Sequence, residues 1–335
     1  MLKYSKLHLH PGLAPINSEI RKKSPDRPGQ PLKNVHKTFL ALAAVSALII
    51  GVTFFMSGER QSEIDEIESA EVLRIGVLPD QNPEVLRKRF ASVLNYLAES
   101  LQLLCELIVP ESYSDLLELF HDQKVDLVYL GGYSFVKAQQ KDHAIPLVMR
   151  RVDLRFTSLF IVNANSPAQT LDNLENKSIA FGSSLSTSGH LMPRYFLQQK
   201  SITPESFFSE VRYSGAHDQT AYWVRDGVVD VGAANATTIR SMLNRNLIKP
   251  NDIRILWETP PYANYAWAIR PQFAESFRSK IRDVFLQLSP DNADHAIILQ
   301  NLNAIGYIPA DPDYFVALAS IALEIEALIA SNNVN

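Results

Sequence analysis

From residue 72 onward, short apolar segments alternate with longer amphipathic segments, and this alternation restricts the possible folds more than any other feature. The first apolar segment is Val72–Leu78, and the helical pattern after it opens at Pro83, a residue suited to a first helical turn. Alternating strands and helices are typical of an α/β architecture with mainly parallel sheets. Further strands are predicted at Leu104–Val109, Val125–Leu130, Ile145–Met149, Ser158–Asn163, Ser178–Phe181, Val211–Tyr213, Val229–Ala233, Ile253–Trp257 and Tyr265–Ile269.

The C-terminal part of the chain has a different pattern. Phe273–Leu288, Ala293–Leu302 and Asp313–Ala330 show helical periodicity, and no strand is predicted between them. Such a run of helices is expected to pack around the edge of a completed sheet.

The composition is that of an ordinary globular protein with a restricted set of partners. The chain has 335 residues, of which 46% are hydrophobic and 20% charged, enough for one large or two medium domains. Its net charge of -4 gives no overall basic field, so we expect no nucleic-acid partner and only a local anion site. The one cysteine, Cys105, excludes an intrachain disulfide, and we predict no cofactor and no metal.

Near the N-terminus, Phe39–Met56 is a stretch of 18 uncharged, mostly apolar residues, which is long enough to span a bilayer. By the positive-inside rule, the charges on either side place the N-terminus in the cytoplasm and export the rest. We therefore predict a disordered cytoplasmic tail at 1–38, a transmembrane anchor at 39–56 and a linker at 57–70. The binding domain is expected in the periplasm or outside the cell, anchored to the inner membrane. The flanking charges are Arg21, Lys22, Lys23, Arg27, Lys33 and Lys37 before the span and Glu59, Glu63, Asp65, Glu66 and Glu68 after it.

A cleaved signal peptide is the alternative for this segment. Met56, Ser57 and Gly58 form no Ala-x-Ala-like cleavage site, and no cysteine follows that could be lipidated there. These observations favour a retained anchor.

The segment with the most candidate anion-binding groups consists of a strand, a loop of small hydroxyl residues and a helix start. The strand ends near Phe181, and Ser186, Thr187, Ser188 and Gly189 stand where the helix begins. Free backbone N–H groups and the positive end of the helix dipole favour an anion there, and the hydroxyls add further donors. An ordinary helix cap is the alternative interpretation, because Ser and Thr are favoured at that position.

A second turn of the same kind spans Tyr213–Ala221 and brings His217 to the carboxyl edge of the sheet, where ligands bind in open α/β folds. Two tyrosines come from earlier turns: Tyr113 lies at a helix start and Tyr129 at a strand end. Their hydroxyls are neutral donors. A capping or surface role for His217, and simple packing for the tyrosines, remain alternatives.

In their order along the chain, these segments resemble the periplasmic binding proteins of phosphonate, phosphite and phosphate ABC importers. The resemblance runs from Val72 to about Leu288. In that family a Ser-Tyr helix start, a Tyr-Gly strand end, a Ser-Thr-Ser-Gly helix start and a Gly-(Ala)-His turn converge on the phosphorus oxyanion. The resemblance implies the ligand-binding residues Tyr113, Tyr129, Ser186, Thr187, Ser188, Gly189 and His217, with one residue inserted between Tyr129 and its glycine.

The resemblance has one departure. Members that hold an amino-substituted ligand place an Asp in a Pro-x-x-Pro-Gly-Asp-like stretch, whereas the corresponding Glu258–Trp267 is shorter and has none. Asn264 or Tyr265 is expected to take a neutral role in its place. We therefore expect phosphite, phosphate or a simple alkylphosphonate as the ligand.

The family implies a type II periplasmic-binding-protein fold, with two α/β lobes joined by two hinge strands and preceded here by the transmembrane helix. Residues 71–155 plus 266–335 are predicted to form lobe 1, and 156–265 lobe 2. Closure would bury the oxyanion among neutral donors, which bind anions strongly. The implied partners are an ABC permease and its ATPase.

Two other functions are alternatives to transport. The main alternative is a membrane-anchored sensing module. In that case the same two lobes, held on a retained anchor, would report their ligand to a sensor kinase. An enzyme is not expected, because no Gly-x-Ser-x-Gly elbow surrounds Ser186 or Ser188. His217 and Asp218 are neighbours that would point differently at a helix start.

Overall fold

Two β-sheets organise residues 72–332, the part of the chain described by the computed structural model. The first sheet has the strand order β11-β4-β10-β3-β1-β2. We call the part built on it lobe 1. Its strands are β1 (Val72–Val77), β2 (Leu104–Ile108), β3 (Leu127–Leu130), β4 (Ile145–Arg150), β10 (Ala266–Ile269) and β11 (Tyr307–Pro309).

The second sheet has the order β7-β6-β8-β5-β9, and we call the part built on it lobe 2. Apolar side chains cover both of its faces, so its central strands are buried. Its strands are β5 (Ser158–Asn163), β6 (Ser178–Phe181), β7 (Glu210–Tyr213), β8 (Val231–Asn235) and β9 (Ile253–Glu258).

Helices cover the sheets, and their starts follow ordinary capping rules. The first begins at Pro83 after Asn82, whose side chain accepts a hydrogen bond from the Glu84 amide. The helices are α1 (Pro83–Leu101), α2 (Tyr113–His121), α3 (Gly132–Asp142), α4 (Met192–Gln198), α5 (Pro204–Phe207), α6 (His217–Arg225), α7 (Ala236–Asn244), α8 (Glu275–Leu286), α9 (Ala293–Asn301) and α10 (Val316–Asn332).

Two sequence predictions about the sheets are wrong. Both sheets are mixed rather than mainly parallel, because β10 and β11 pair antiparallel in the first and β5 pairs antiparallel with β8 and β9 in the second. A strand, β11, also lies between the last helices, where none was predicted. Tyr307–Pro309 is too short for its pattern to show in the sequence, and it is held by pairing with β4.

The chain crosses between the two sheets twice, over residues 151–157 and 259–265. The crossings pair with each other, since Phe156 and Tyr262 exchange two backbone hydrogen bonds of 2.9 Å. Beside them, the buried Arg150 guanidinium binds the Asp153 carboxylate through bonds of 2.6 and 2.7 Å and donates to the Leu302 carbonyl. Paired crossings of this kind form a two-stranded hinge.

Within residues 72–332, one helical segment, Pro312–Ser331, is long and apolar enough to cross a membrane, with a mean hydropathy of 1.7. Its residues Phe315, Leu318, Ala322 and Ile325 are buried in the core of lobe 1, as expected for a core helix. The predicted transmembrane segment at 39–56 lies outside the described residues.

Candidate functional site

The Ser-Thr-Ser-Gly segment forms a tight turn at the carboxyl end of β6. A short π-helical turn spans Thr187–Leu191, and Ser186 caps it by accepting a 2.9 Å hydrogen bond from the Gly189 amide. All four residues from Ser186 to Gly189 are buried. The predicted helix start is therefore present, but it lies inside the protein rather than at its surface.

The hydroxyls of this turn face other parts of the protein. Thr187 Oγ1 accepts a 2.8 Å bond from the Tyr133 amide of lobe 1, and the Ser186 hydroxyl lies near that of Tyr113. The Ser188 hydroxyl lies near Tyr262 of the hinge. Because Thr187 Oγ1 accepts from an amide, its own O–H remains available as a donor. The turn thus joins the two lobes.

Position 189 requires a glycine because its backbone lies very close to His217 and Gly182. A Cβ atom there would lie 2.9 Å from His217 Cε1 and 3.2 Å from Gly182 Cα, both closer than packed atoms tolerate. The backbone of the turn therefore lies directly against the imidazole ring.

His217 is fully buried as the first residue of α6. Its Nδ1 accepts a 3.3 Å hydrogen bond from the Asn235 amide, so in the neutral ring the proton is on Nε2. Nε2 is buried and has no hydrogen-bond partner. Burial lowers the pKa of His217 to about 4. At neutral pH the ring is an uncharged donor with a free N–H.

His217 belongs to a ring of four residues drawn from both lobes. Its amide donates to the Asp80 carbonyl at 2.9 Å. The Asp80 carboxylate accepts from the Tyr265 hydroxyl at 2.9 Å, which in turn accepts from Asn235 Nδ2 at 3.1 Å. The contact between Asn235 and His217 closes the ring. The Tyr265 hydroxyl is thus used inside the protein, both as donor and as acceptor.

Tyr113 and Asn264, two further residues predicted for the site, are also buried. Burial, and next the charge of Asp80, raises the pKa of Tyr113 well above its ordinary value, so its hydroxyl stays protonated. Asn264 Oδ1 accepts from the Gly132 amide at 3.1 Å, while its Nδ2 has no partner. Asn264 therefore offers a second free donor.

Tyr129 is placed differently. Its ring stacks on that of Tyr265 with centroids 5.0 Å apart, and its buried hydroxyl has no hydrogen-bond partner. The charges that act on this hydroxyl are foremost those of Arg150 and Asp153. The Tyr129 ring therefore lies beside Tyr265, one of the other predicted residues. Its hydroxyl instead faces the buried ion pair of Arg150 and Asp153.

Residues 75–315 match the family described as the periplasmic substrate-binding proteins of phosphonate ABC transporters. The chain belongs to this family. Its members are solute-binding components of importers, not enzymes, and they act outside the cytoplasm.

Individual relatives agree with this assignment. The probable ABC transporter phosphite-binding protein PhnD1 of Prochlorococcus marinus (strain MIT 9301) is 32% identical over 77% of this chain and 91% of its own length. The phosphonates-binding periplasmic protein of Escherichia coli (strain K12) is 22% identical over 72% of each chain.

Solved structures confirm the predicted two-lobed periplasmic-binding-protein fold. The structure of P. marinus PhnD1 in complex with methylphosphonate has a TM-score of 0.73 at 31% identity and covers 76% of this chain and 98% of that one. A component of an ABC phosphonate transporter from Pseudomonas aeruginosa has a TM-score of 0.72 at 19% identity, with 80% and 90% covered.

The polar residues of this candidate site are not arranged as a catalytic relay. The imidazole of His217 is oriented by the Asn235 amide, and the neighbouring Asp218 carboxylate accepts from the Asn82 and Gln219 amides instead. Ser186 accepts from the Gly189 amide, so among these described residues no serine, histidine and carboxylate are linked in sequence.

Asp80, Asn235 and Tyr262 lie against the candidate site and were not predicted from the sequence. Asp80 follows β1 and Asn235 ends β8, so both lie at the carboxyl edge of a sheet. That position is the signal that could have identified them. Tyr262 carries no such signal, because it lies in the hinge crossing.

Proposed function

We propose that this chain binds a small phosphorus oxyanion, namely a phosphonate, phosphite or phosphate, between its lobes and delivers it to an ABC permease and its ATPase. The observation that carries the proposal is the free Nε2–H of His217, buried against the Ser186–Gly189 turn. A buried donor without a partner requires an explanation in a native protein, and a bound anion supplies one.

The available donors suit an oxyanion. His217 Nε2, Asn264 Nδ2 and the Thr187 O–H are neutral, so the site holds an anion without a directly paired cation. Hydrogen bonds from such donors to a charged oxygen contribute about 1.5–3 kcal/mol each. The other contacts predicted at the turn, from Tyr113, Ser186, Ser188 and Gly189, belong to the same proposal. Tyr129 and Tyr265 belong to it through their rings, because the Tyr265 hydroxyl is already bonded to Asp80 and Asn235 and the Tyr129 hydroxyl faces the hinge ion pair.

A simple ligand is favoured over an amino-substituted one. Asn264 occupies the stretch where the amino-binding members of the family place an Asp, and its free group is a donor rather than an acceptor. The relative PhnD1 was solved with methylphosphonate. By this likeness we infer phosphite, phosphate or an alkylphosphonate as the ligand.

Ligand-induced stabilisation tests the proposal. Thermal unfolding of the full chain is expected to shift upward with phosphite, phosphate or methylphosphonate and not with matched chloride. A ligand at a hundred times its Kd adds about 2.7 kcal/mol to the free energy of unfolding. No shift with any phosphorus compound would contradict the function.

We infer further that the lobes, 71–155 plus 266–335 and 156–265, close about the hinge on ligand binding. The turn at Ser186–Gly189 supports this movement, because Thr187 is bonded to the Tyr133 amide in the other lobe. Two paired crossings allow rotation of one lobe on the other with few changes elsewhere.

The anchor is a separate part of the proposal. The apolar stretch 39–56 with its flanking charges supports retention in the inner membrane. The full-length protein is expected to fractionate with membranes and to resist extraction by salt. A soluble mature form that begins after residue 56 would contradict the anchor and show a cleaved signal. The family favours transport over sensing.

A further inference from the structure

Asp80 is a buried carboxylate in the cleft that the proposed function does not use. It is 3% exposed, and its Oδ2 accepts a 2.9 Å bond from the Tyr265 hydroxyl. Its Oδ1 is buried with no hydrogen-bond partner, and its contact with the Arg89 guanidinium is a long ion pair of 4.0 Å, beyond hydrogen-bond distance. One carboxylate oxygen is therefore free to accept a hydrogen bond.

Asp80 lies next to the proposed anion site. Its backbone carbonyl accepts from the His217 amide, and the charge of its carboxylate acts on the His217 ring. Its charge also acts on Tyr113, whose hydroxyl lies near Ser186. The free acceptor of Asp80 and the free N–H of His217 therefore lie in the same region between the lobes.

Five charged or titratable groups of the described residues face Asp80. They are Arg89 of α1, Tyr113 of α2, His217 and Asp218 of α6, and Tyr265. Burial, with the charge of Asp80 as the next cause, raises the pKa of both tyrosines well above the ordinary value. Burial lowers the pKa of His217 to about 4, and burial also raises that of Asp218. The two tyrosines and His217 are therefore uncharged around neutral pH.

We propose that Asp80 Oδ1 accepts a hydrogen bond from a P–OH group of the ligand, so that the site selects the singly protonated oxyanion. This inference rests on the proposed function. A carboxylate only accepts hydrogen bonds, so it stabilises a ligand that carries a proton and repels one that does not. Asp80 is then a residue that determines specificity.

The acid–base chemistry of the ligands makes this hydrogen bond a strong basis for selectivity. A phosphorus oxyanion loses its second proton near neutral pH, at about 6 for a phosphate ester. A sulfonate of the same shape carries no proton in this range. The site is therefore expected to bind methylphosphonate and reject methanesulfonate, and to bind methylphosphonate less well as pH rises past its second ionisation.

Calorimetric titration of the full chain with both ligands, on either side of the second pKa of methylphosphonate, tests the inference. In the wild type, the affinity for methylphosphonate is expected to fall about tenfold per pH unit above that pKa, as the protonated form is depleted. In Asp80→Asn, whose amide also donates, methanesulfonate should gain at least about tenfold relative to methylphosphonate, and the pH dependence should flatten.

Asp218→Asn is the matched control, because it removes the same charge from a nearby carboxylate whose oxygens already accept backbone amides. It should keep the wild-type selectivity and pH dependence. Unchanged selectivity and pH dependence in Asp80→Asn would overturn the inference, as would a wild type that binds methanesulfonate equally well. The comparison of methylphosphonate with methanesulfonate in the wild type tests the inference even if the Asp80 variant fails to fold.

Two further outcomes are distinguishable. If Asp80→Asn loses 2-aminoethylphosphonate much more than ethylphosphonate, the proton donor is the ligand ammonium and the P–OH assignment is wrong. If the wild type binds no phosphorus compound at all, the proposed function fails, and this inference fails with it.

Discussion

Replacing Ser186, Thr187 and Ser188 together by alanine is expected to weaken binding of methylphosphonate by at least tenfold. The variant loses the Thr187 O–H donor and the Ser186 and Ser188 hydroxyls, which lie near Tyr113 and Tyr262. Each lost hydrogen bond to a buried anion is worth about 1.5–3 kcal/mol, so the full effect is larger than for any single change we consider. Isothermal titration of the full chain measures it.

The triple variant also tests how the turn joins the lobes. It leaves the Gly189 and Tyr133 amides without their acceptors, at about 1–3 kcal/mol each, so unfolding should occur at a lower temperature in a protein that still folds. Ser184→Ala is the matched control, since this exposed serine lies in the same loop. Equal affinity of the triple variant and this control would refute the assignment of the turn.

Replacing His217 by asparagine is expected to lower the affinity about ten- to a hundredfold. The shorter side chain can still accept from the Asn235 amide as Nδ1 does, but it has no group at the place of Nε2. The fold should therefore persist while the free donor is lost. Titration calorimetry, with circular dichroism to check the fold, measures both effects.

His217→Gln is the natural comparison for this change. Its amide nitrogen reaches the position of Nε2, so it should retain more affinity than the asparagine variant. An asparagine variant that binds within about twofold of the wild type would remove His217 from the site. The order of the two variants thus identifies which ring nitrogen matters.

Much of the fold could be predicted because burial leaves a local pattern. The runs at Ser158–Asn163 and Ser178–Phe181 are apolar and short, and they are strands with the predicted bounds. The direction of pairing leaves no such pattern, because a buried strand is apolar in either direction. The antiparallel place of β10 depends on the chain returning through the hinge, which is a tertiary effect.

The candidate site was likewise predictable only where its residues carry a local pattern. The turn at Ser186–Gly189 and the histidine of the next turn carry a local signal, since each places polar donors where a helix starts after a strand. The tautomer of His217 depends on Asn235, which is 18 residues away in sequence. The hydrogen bond that the Tyr265 hydroxyl donates depends on Asp80, which is 185 residues away. Contacts of this range follow from topology and cannot be deduced from either residue's neighbours.

The ring of Asp80, His217, Asn235 and Tyr265 has a consequence for the empty protein. Its hydrogen bonds need no ligand, so by themselves they would favour contact between the lobes in the empty protein. The free atoms Asp80 Oδ1, His217 Nε2 and Asn264 Nδ2 act in the opposite direction, because burying each without a partner costs about 1–3 kcal/mol. Only a ligand that pairs with these atoms removes that penalty. Under the proposed function, the unpaired groups would therefore disfavour closure of the empty protein.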